Sequence, residues 1–96
     1  MQIEFDSIKR NQTLTERGLD FARALDVFAG RHYTAEDLRF AYGERRFITV
    51  GLIDERMVLV VWTPRGEARR IISMRNANER EQTRYSHALD SSGRRP

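Results

Sequence analysis

Two strand-like segments joined by a tight turn constrain the fold of this chain more than any other feature. Residues 57–63 form an almost continuous apolar run, which is typical of a strand inside a sheet. Residues 64–67 read Pro-Arg-Gly-Glu, and both proline and glycine favour a turn at this point. Residues 68–74 follow as a second strand, so the sequence predicts an antiparallel pair here.

The second strand of this pair carries arginines among apolar residues. In a regularly alternating strand, Arg75 lies on the same face as Ile71, whereas Arg70 lies on the opposite face. One arginine therefore stands among apolar side chains whichever face is buried. Its desolvation is costly unless an anion compensates it. We interpret this pattern as a sheet that faces phosphate groups.

The basic residues are almost all arginines, and they are unevenly distributed. Of the 17 basic residues only Lys9 is a lysine. Residues 1–55 carry 8 basic and 10 acidic side chains, whereas residues 56–96 carry 9 and 4. The planar guanidinium matches phosphate oxygens, which favours contact with RNA or DNA. A GC-rich coding sequence would explain the shortage of lysine, but it does not explain this asymmetry.

Composition and length indicate a single domain at residues 1–90, followed by a polar tail at 91–96 that we expect to be disordered. The chain has no cysteine, and no histidine or carboxylate cluster has the spacing of metal ligands. No apolar run approaches the ~20 residues that span a bilayer, and the first six residues do not resemble a secretory signal. We therefore expect a cytosolic protein that uses neither a metal nor a cofactor.

Capping residues and apolar spacing predict three helices around the strands. Asp6 and Asp20 are candidate N-caps, Gly18 is a candidate C-cap, and Asn78 with Glu81 has the spacing of a capping box. The predicted helices lie at about 6–16, 20–29 and 79–89, and the predicted strands at 2–5, 47–52, 57–63 and 68–74, while a further strand in the connection at 33–42 is left open. This order predicts an α+β fold with its helices on one face of a small antiparallel sheet of three to four strands. The other face would be open to a ligand.

Two motifs in a fixed order give the chain a family resemblance. They are Gly-Glu-x-Arg at residues 43–46 and Arg-Ile-Ile-Ser-x-Arg-x-Ala at residues 70–77. Further matching residues surround them: Ile3 to Asp6, Lys9, Asn11, Gly18, Asp20, Phe21, Ala24, Val27, Phe28, Tyr42, Gly51, Val60 to Thr63, Glu81 and Tyr85. With these residues the sequence resembles the BrnT family of bacterial type II toxins over roughly residues 3–86.

The resemblance implies a RelE-like fold and a ribonuclease that inhibits translation. It also implies a BrnA-type antitoxin, a DNA-binding protein that masks the toxin and represses their shared operon. The chain departs from the family in having Phe5 in place of a tryptophan and Glu16-Arg17-Gly18 in place of Lys-His-Gly. An alternative therefore stays open, namely a catalytically weak or inactive homologue that acts as a protein-binding corepressor. Direct DNA binding ranks last, because no helix-turn-helix is recognisable.

RNA cleavage without a metal requires a base for the ribose 2′-hydroxyl, cations for the charged phosphorane and an acid for the leaving oxygen. We assign the role of base to Glu44. The cations that we assign to the catalytic site are Arg46, Arg70 and Arg75. The alternative for Glu44 is a turn glutamate paired with an arginine. Neither His32 nor His87 falls on a motif position, so the acid is left unassigned.

Binding roles are predicted for residues near these motifs. The candidate RNA-binding residues are Lys9, Arg65 and Tyr85. The candidate antitoxin-binding residues are Trp62 and Arg70, because tryptophan and arginine often anchor interfaces. For the two aromatic residues, Tyr85 and Trp62, packing in the core is the competing interpretation.

Overall fold

The computed structural model describes residues 1–93, which form three helices and five strands. The strands are β1 (Gln2–Glu4), β2 (His32–Glu36), β3 (Phe47–Ile53), β4 (Arg56–Arg65) and β5 (Ala68–Asn76). The helices are α1 (Ser7–Arg17), α2 (Ala24–Ala29) and α3 (Glu79–Gly93), and a 3-10 turn at Phe21–Arg23 leads into α2. Among the described residues, no helix has the length and apolarity needed to span a bilayer.

The sheet is larger than predicted, and it is mixed. Its strand order is β1-β5-β4-β3-β2, in which β2 to β5 are antiparallel and β1 runs parallel to β5. The predicted RelE-like fold with an antiparallel sheet of three to four strands is therefore wrong. The strand predicted at 2–5 corresponds to β1, but its parallel pairing with β5 was not predicted, and β2 is the fifth strand. Both are short, largely exposed edge strands. Such strands carry little of the alternating apolar pattern by which a strand and its partner are recognised.

Helices cover both faces of the sheet, rather than one face as predicted. On the first side, called the α2 face, the helices α1 and α2 cover the larger core: Leu19, Phe21, Ala24, Val27, Phe28, Ile53, Val58, Val60, Trp62, Ile71 and Met74. On the second side, called the α3 face, helix α3 covers a smaller core: Val50, Leu59, Ala77 and Leu89. Helix α3 lies towards β2, so the end of the α3 face beside the β4–β5 turn stays open.

A β-bulge between β4 and β5 decides which arginines share a face. The register of the two strands shifts midway, so that Arg70 lies opposite Thr63 and Arg75 lies opposite Leu59. Thr63 and Leu59 are four residues apart in β4 and point to the same side. Arg70 and Arg75 therefore share the α3 face, and the prediction of opposite faces from regular alternation is wrong. The neighbouring Arg69 lies on the α2 face.

The helix starts predicted from capping residues are confirmed. The Asp6 carboxylate accepts the Ile8 N–H at 2.8 Å at the start of α1, and α1 ends at Gly18 with φ of 70°. In the capping box of α3, the Glu81 N–H donates to Asn78 Oδ1 at 2.8 Å, and the Asn78 N–H donates to Glu81 Oε1 at 3.0 Å. These signals are local, which is why the sequence reveals them.

The C-terminal helix extends further than predicted. It continues to Gly93, whereas the sequence predicted an end near residue 89. The tail predicted at 91–96 thus overlaps the helix by three residues. Residues 94–96 lie outside the part of the chain that the structure describes.

Candidate active site

A shallow cavity of about 210 Å³ occupies the open end of the α3 face. Its lining residues come from separate parts of the chain: Asp6, Lys9, Glu44, Arg46, Thr63, Arg65, Arg70, Ile71 and Ile72. They meet because α1 begins beside β5 and because the loop between β2 and β3 returns to the sheet next to β4. Five of the predicted site residues line this cavity: Lys9, Glu44, Arg46, Arg65 and Arg70.

Glu44 lies between two arginines at the centre of this cluster. Arg46 Nε donates to Glu44 Oε2 at 3.2 Å, and Arg65 Nη1 lies 3.3 Å from Glu44 Oε1. Both separations exceed the 2.7–2.9 Å that is usual for tight charge-assisted hydrogen bonds. The Glu44 side chain is 28% exposed and lines the cavity, so a ligand can reach it from that side. Loose, partly solvated pairs of this kind can exchange their partners at little cost.

Arg70 has a carboxylate neighbour that comes from the first strand. Parallel pairing of β1 with β5 sets Glu4 beside Arg70, and Arg70 Nη1 lies 3.4 Å from Glu4 Oε1. Both side chains are more than one third exposed, so water screens this pair. Sequence reasoning missed Glu4, because nothing local indicates which strand lies beside β5.

The cavity has an excess of positive charge. Lys9, Arg46, Arg65 and Arg70 line it together with only two carboxylates, those of Asp6 and Glu44. The Asp6 carboxylate is already engaged as the N-cap of α1. The Lys9 ammonium makes no hydrogen bond or ion pair with any described residue, so it is available to an anion.

Two further residues hold the Glu44 segment against the sheet, and sequence reasoning assigned a role to neither. The buried Thr63 hydroxyl donates to the Arg45 carbonyl at 2.6 Å. The ring of Tyr42 lies beneath the Arg46 guanidinium, 4.1 Å from ring centroid to the guanidinium carbon. Both matched the family resemblance, and that match is the only signal by which the sequence marks them.

Arg75, a predicted catalytic residue, lies outside the cavity. Along β5 it is five residues from Arg70, which corresponds to about 16 Å at the usual strand rise. Its Nη1 and Nη2 each lie 2.7 Å from a carboxylate oxygen of Glu81. These hydrogen bonds lower the pKa of Glu81 to about 2 and raise the pKa of Arg75. The contact joins β5 to the first turn of α3.

The two predicted aromatic binding residues also lie away from the cavity. Tyr85 is half-buried on α3, packs against the smaller core, and lies 6.3 Å from the ring of Tyr33. Trp62 is buried on the α2 face, donates from Nε1 to Thr49 Oγ1 at 2.8 Å, and stacks on Phe47 at 4.9 Å. Both positions agree with core packing, the interpretation that competed with binding.

The segment in which the chain departs from the family lies at the other end of α1. Arg17 Nη1 donates to the Met74 carbonyl at 2.7 Å, and Glu16 is exposed. Eight residues of helix, about 12 Å, separate Arg17 from Lys9 at the cavity. Neither Glu16 nor Arg17 lines the cavity.

A larger cavity of about 480 Å³ lies between α1 and the β3–β4 turn. Its acidic residues Asp20 and Asp54 are neutralised by close pairs with Arg10 at 2.7 Å and Arg23 at 2.6 Å. Gly18 and Asp20 in its lining match the family resemblance, but both cap helices, and none of the predicted site residues lines this cavity. Size alone therefore does not make it the better candidate, and the smaller cationic cavity is the candidate active site.

Comparison with known proteins shows which family the chain matches. The family described as the ribonuclease toxin, BrnT, of type II toxin-antitoxin systems matches residues 5–81. A comparison with individual curated proteins found no match. The family match spans most of the chain and includes every residue of the cavity lining. The chain therefore belongs to the BrnT family of ribonuclease toxins of type II toxin-antitoxin systems.

Proposed function

We propose that this protein cleaves RNA in the cationic cavity, without a metal ion, by attack of a ribose 2′-hydroxyl on the adjacent phosphorus. The observation that carries the proposal is the Glu44 carboxylate, held loosely by Arg46 and Arg65 within a cluster of four cations. A base and several phosphate-binding donors thus lie within one open cavity, which are two of the three groups that this reaction requires, and water can serve as the third, the acid.

In this reaction each charged group of the cavity has a separate role. Glu44 accepts the 2′-hydroxyl proton as the O2′–phosphorus bond forms. Arg46, Arg65 and Arg70 bind the non-bridging oxygens, on which negative charge accumulates. The bond from phosphorus to O5′ breaks, and water supplies the proton that this oxygen takes up. The products are a 2′,3′-cyclic phosphate and a 5′-hydroxyl end.

The existing ion pairs favour an exchange of partners when RNA binds. The pairs of Glu44 with Arg46 and Arg65 are long and partly solvated, whereas a phosphate presents several oxygens and can accept short hydrogen bonds from both arginines at once. A phosphate can therefore displace Glu44 from Arg46 and Arg65 at a net gain. The displaced carboxylate is then free to accept a hydrogen bond from the 2′-hydroxyl. Lys9, which has no partner among the described residues, adds a contact to a neighbouring phosphate.

The test is incubation of the purified chain with RNA in the presence of EDTA. Wild type is expected to cleave, with 2′,3′-cyclic phosphate ends. Glu44→Gln is expected to be at least ~10²-fold slower, which is the usual contribution of a general base. Glu55→Gln, at the exposed β3–β4 turn, is the matched control and should retain full activity. Intact RNA with wild type, or full activity in Glu44→Gln, would contradict the proposal.

In the cell, the proposed activity is inhibition of translation, neutralised by a BrnA-type antitoxin that covers the cavity. Arg70 is our candidate for a contact with both RNA and antitoxin, because it is half-exposed at the cavity wall. Expression of the chain alone should arrest growth, and co-expression of the antitoxin should relieve the arrest. Growth that continues unaffected by a well-expressed, folded chain would count against the toxin activity.

The alternative of an inactive corepressor rests on the altered segment at residues 16–18. That segment lies about 12 Å along α1 from the cavity, and Arg17 there has a structural contact with Met74. The position of the altered residues thus does not favour loss of activity. RNA that stays intact while the antitoxin still binds tightly would support the corepressor instead.

A further inference from the structure

A buried carboxylate lies just behind the cavity wall, in the loop between β2 and β3. Of the acidic residues in the described chain, Asp37 alone is buried, and its side chain is fully covered. Arg39 donates from Nε to Asp37 Oδ1 and from Nη2 to Oδ2, both at 2.8 Å, and the Tyr42 hydroxyl donates to Oδ2 at 2.9 Å. The hydrogen bonds from Arg39 hold the pKa of Asp37 well below its usual range.

Burial of a charge is costly unless hydrogen bonds satisfy it, so this arrangement calls for a reason. Asp37 lines a pocket together with Ile48 and Val50 of the smaller core, where an apolar side chain would pack without this cost. The Asp37 backbone N–H donates to the Arg46 carbonyl at 2.7 Å, which joins the two ends of the loop. Asp37 thus fixes the loop that carries Glu44.

A continuous series of contacts runs from Asp37 to the proposed base. Asp37 accepts the Tyr42 hydroxyl, the Tyr42 ring supports the Arg46 guanidinium at 4.1 Å, and Arg46 donates to Glu44 at 3.2 Å. Gly43, between Tyr42 and Glu44, has φ of 77°, a conformation that glycine adopts without strain. This turn lets the chain double back, so that Glu44 reaches Arg46 while the ring lies underneath.

We propose that Asp37 and Tyr42 are positioning residues that set the orientation of Arg46 in the active site and, through Arg46, the position of Glu44 before RNA binds. The inference rests on the proposed function, and neither residue touches the cavity itself. An arginine that lies on a fixed ring presents its N–H groups in one plane, which spares the cost of orienting it when phosphate binds. A hydroxyl anchored on a buried carboxylate keeps that ring in place.

The test compares Tyr42→Phe, Tyr42→Leu and Asp37→Asn in RNA cleavage and in NMR of the arginine Nε–Hε groups. Tyr42→Leu removes the ring and is expected to lower kcat by at least ~10-fold, a moderate cost for misplaced groups. KM should change less than threefold, because Lys9, Arg65 and Arg70 still bind phosphate. Tyr42→Phe keeps the ring and should recover most of the activity, and Asp37→Asn should fall between them.

The NMR measurement is independent of catalysis. Ring shielding by Tyr42 should place the Arg46 Hε resonance upfield in wild type and in Tyr42→Phe, and Tyr42→Leu should move it downfield. Phe40→Leu is the matched control, since Phe40 is a 70% exposed ring of the same loop that packs edge-on against Tyr42. This control should change neither kcat nor the Arg46 resonance.

The outcomes separate this inference from the proposed function. An unshifted Arg46 resonance in Tyr42→Leu would overturn the positioning role, whatever the activity. A loss of kcat equal to that of Phe40→Leu would also overturn it, since it would reflect general loosening of the loop. If wild type fails to cleave RNA, the proposed function falls, and the resonance alone then decides whether Tyr42 orients Arg46.

Discussion

Arg69 and Arg70 are neighbours in β5, yet they lie on opposite faces of the sheet in unlike surroundings. Arg70 faces the cavity and has a screened carboxylate, Glu4, at 3.4 Å. Arg69 lies on the α2 face, 4.3 Å from the ring centroid of Trp62 and 4.6 Å from that of Phe28. Arg69 thus covers an aromatic core on one face of the sheet, whereas Arg70 presents its charge to a ligand on the other face.

The contrast extends to the whole set of half-buried arginines in the described chain. They are Arg10, Arg23, Arg46, Arg69, Arg70 and Arg75. All except Arg69 have a carboxylate within 3.4 Å. Burial lowers the pKa of Arg69, and the guanidinium contacts aromatic rings instead of a carboxylate.

The distance from guanidinium to carboxylate divides the remaining half-buried arginines into two groups. Arg75 and Glu81 meet at 2.7 Å and fasten a helix, whereas the cavity pairs at 3.2–3.4 Å remain exchangeable.

The largest effect should come from the cavity side of β5. Arg70→Ala is expected to slow RNA cleavage at least ~10²-fold, which corresponds to about 2.7 kcal/mol of transition-state stabilisation. The reason is the loss of a cation at the phosphate. Arg69→Ala should stay within about twofold of wild type in the same assay. Equal losses of cleavage activity in Arg70→Ala and Arg69→Ala would contradict the proposal that RNA binds the cavity face and not the α2 face.

The next effect should appear in stability at the Arg75–Glu81 pair. Glu81→Gln should lower the free energy of unfolding by about 1–2 kcal/mol, because the variant loses the tight ion pair with Arg75 but keeps the side-chain oxygen that the capping box requires. The pKa of Glu81 is lowered to about 2 in the folded protein. Its stabilisation is therefore complete above pH 4.5 and is lost as the pH falls towards 2.

Urea unfolding of wild type and Glu81→Gln at several pH values checks this prediction. The difference between the two should shrink as the pH falls below 4.5. Glu79→Gln, at an exposed position in the same turn, is the matched control. A difference that stays constant down to pH 2 would show that ionised Glu81 does not stabilise the fold.

A smaller stability effect is expected on the α2 face. Arg69→Ala should cost about 1 kcal/mol, from a cation–ring contact and from the apolar stem that shields Trp62 and Phe28. Arg69→Met keeps the stem and should recover about half of this loss. Thermal unfolding measures both variants. A loss with Arg69→Met as large as that with Arg69→Ala would contradict the shielding role of the stem.

The smallest effect should be at Lys9, on the rim of the cavity. Lys9→Met should weaken RNA binding by about threefold to tenfold, as expected for one lost phosphate contact. Lys9→Arg keeps the charge but cannot donate a proton, so it should retain near wild-type cleavage. Cleavage lost equally in both variants would instead make Lys9 the proton donor to the leaving oxygen.

Local signals predicted a large part of this fold. Asp6, Asn78 and Glu81 marked the helix starts correctly, because a cap is decided within four residues of sequence. Gly66 marked the turn between β4 and β5 for the same reason, whereas Pro64, which was predicted in the turn, lies in β4 opposite Arg69. The motif residues Glu44 and Arg46 were predicted to belong together, and they do lie in contact.

Features that depend on pairing between distant segments were missed. The parallel contact that brings Glu4 to Arg70 joins segments 66 residues apart, and no local pattern announces it. The bulge follows from how β4 and β5 align, so alternation counted along β5 alone placed Arg75 on the wrong face. Sequence analysis did not single out Asp37, because its burial depends on Arg39 and Tyr42 folding over it.

The most direct test is an NMR titration of the labelled protein with an RNA whose 2′-hydroxyl at the cleavage site is replaced by hydrogen. Such a strand binds but cannot react. The resonances of Arg46, Arg65 and Arg70 should shift on binding, while those of Arg69 and Arg75 should stay in place. Shifts confined to Arg69 or Arg75, with the cavity arginines unmoved, would contradict the assignment of the active site.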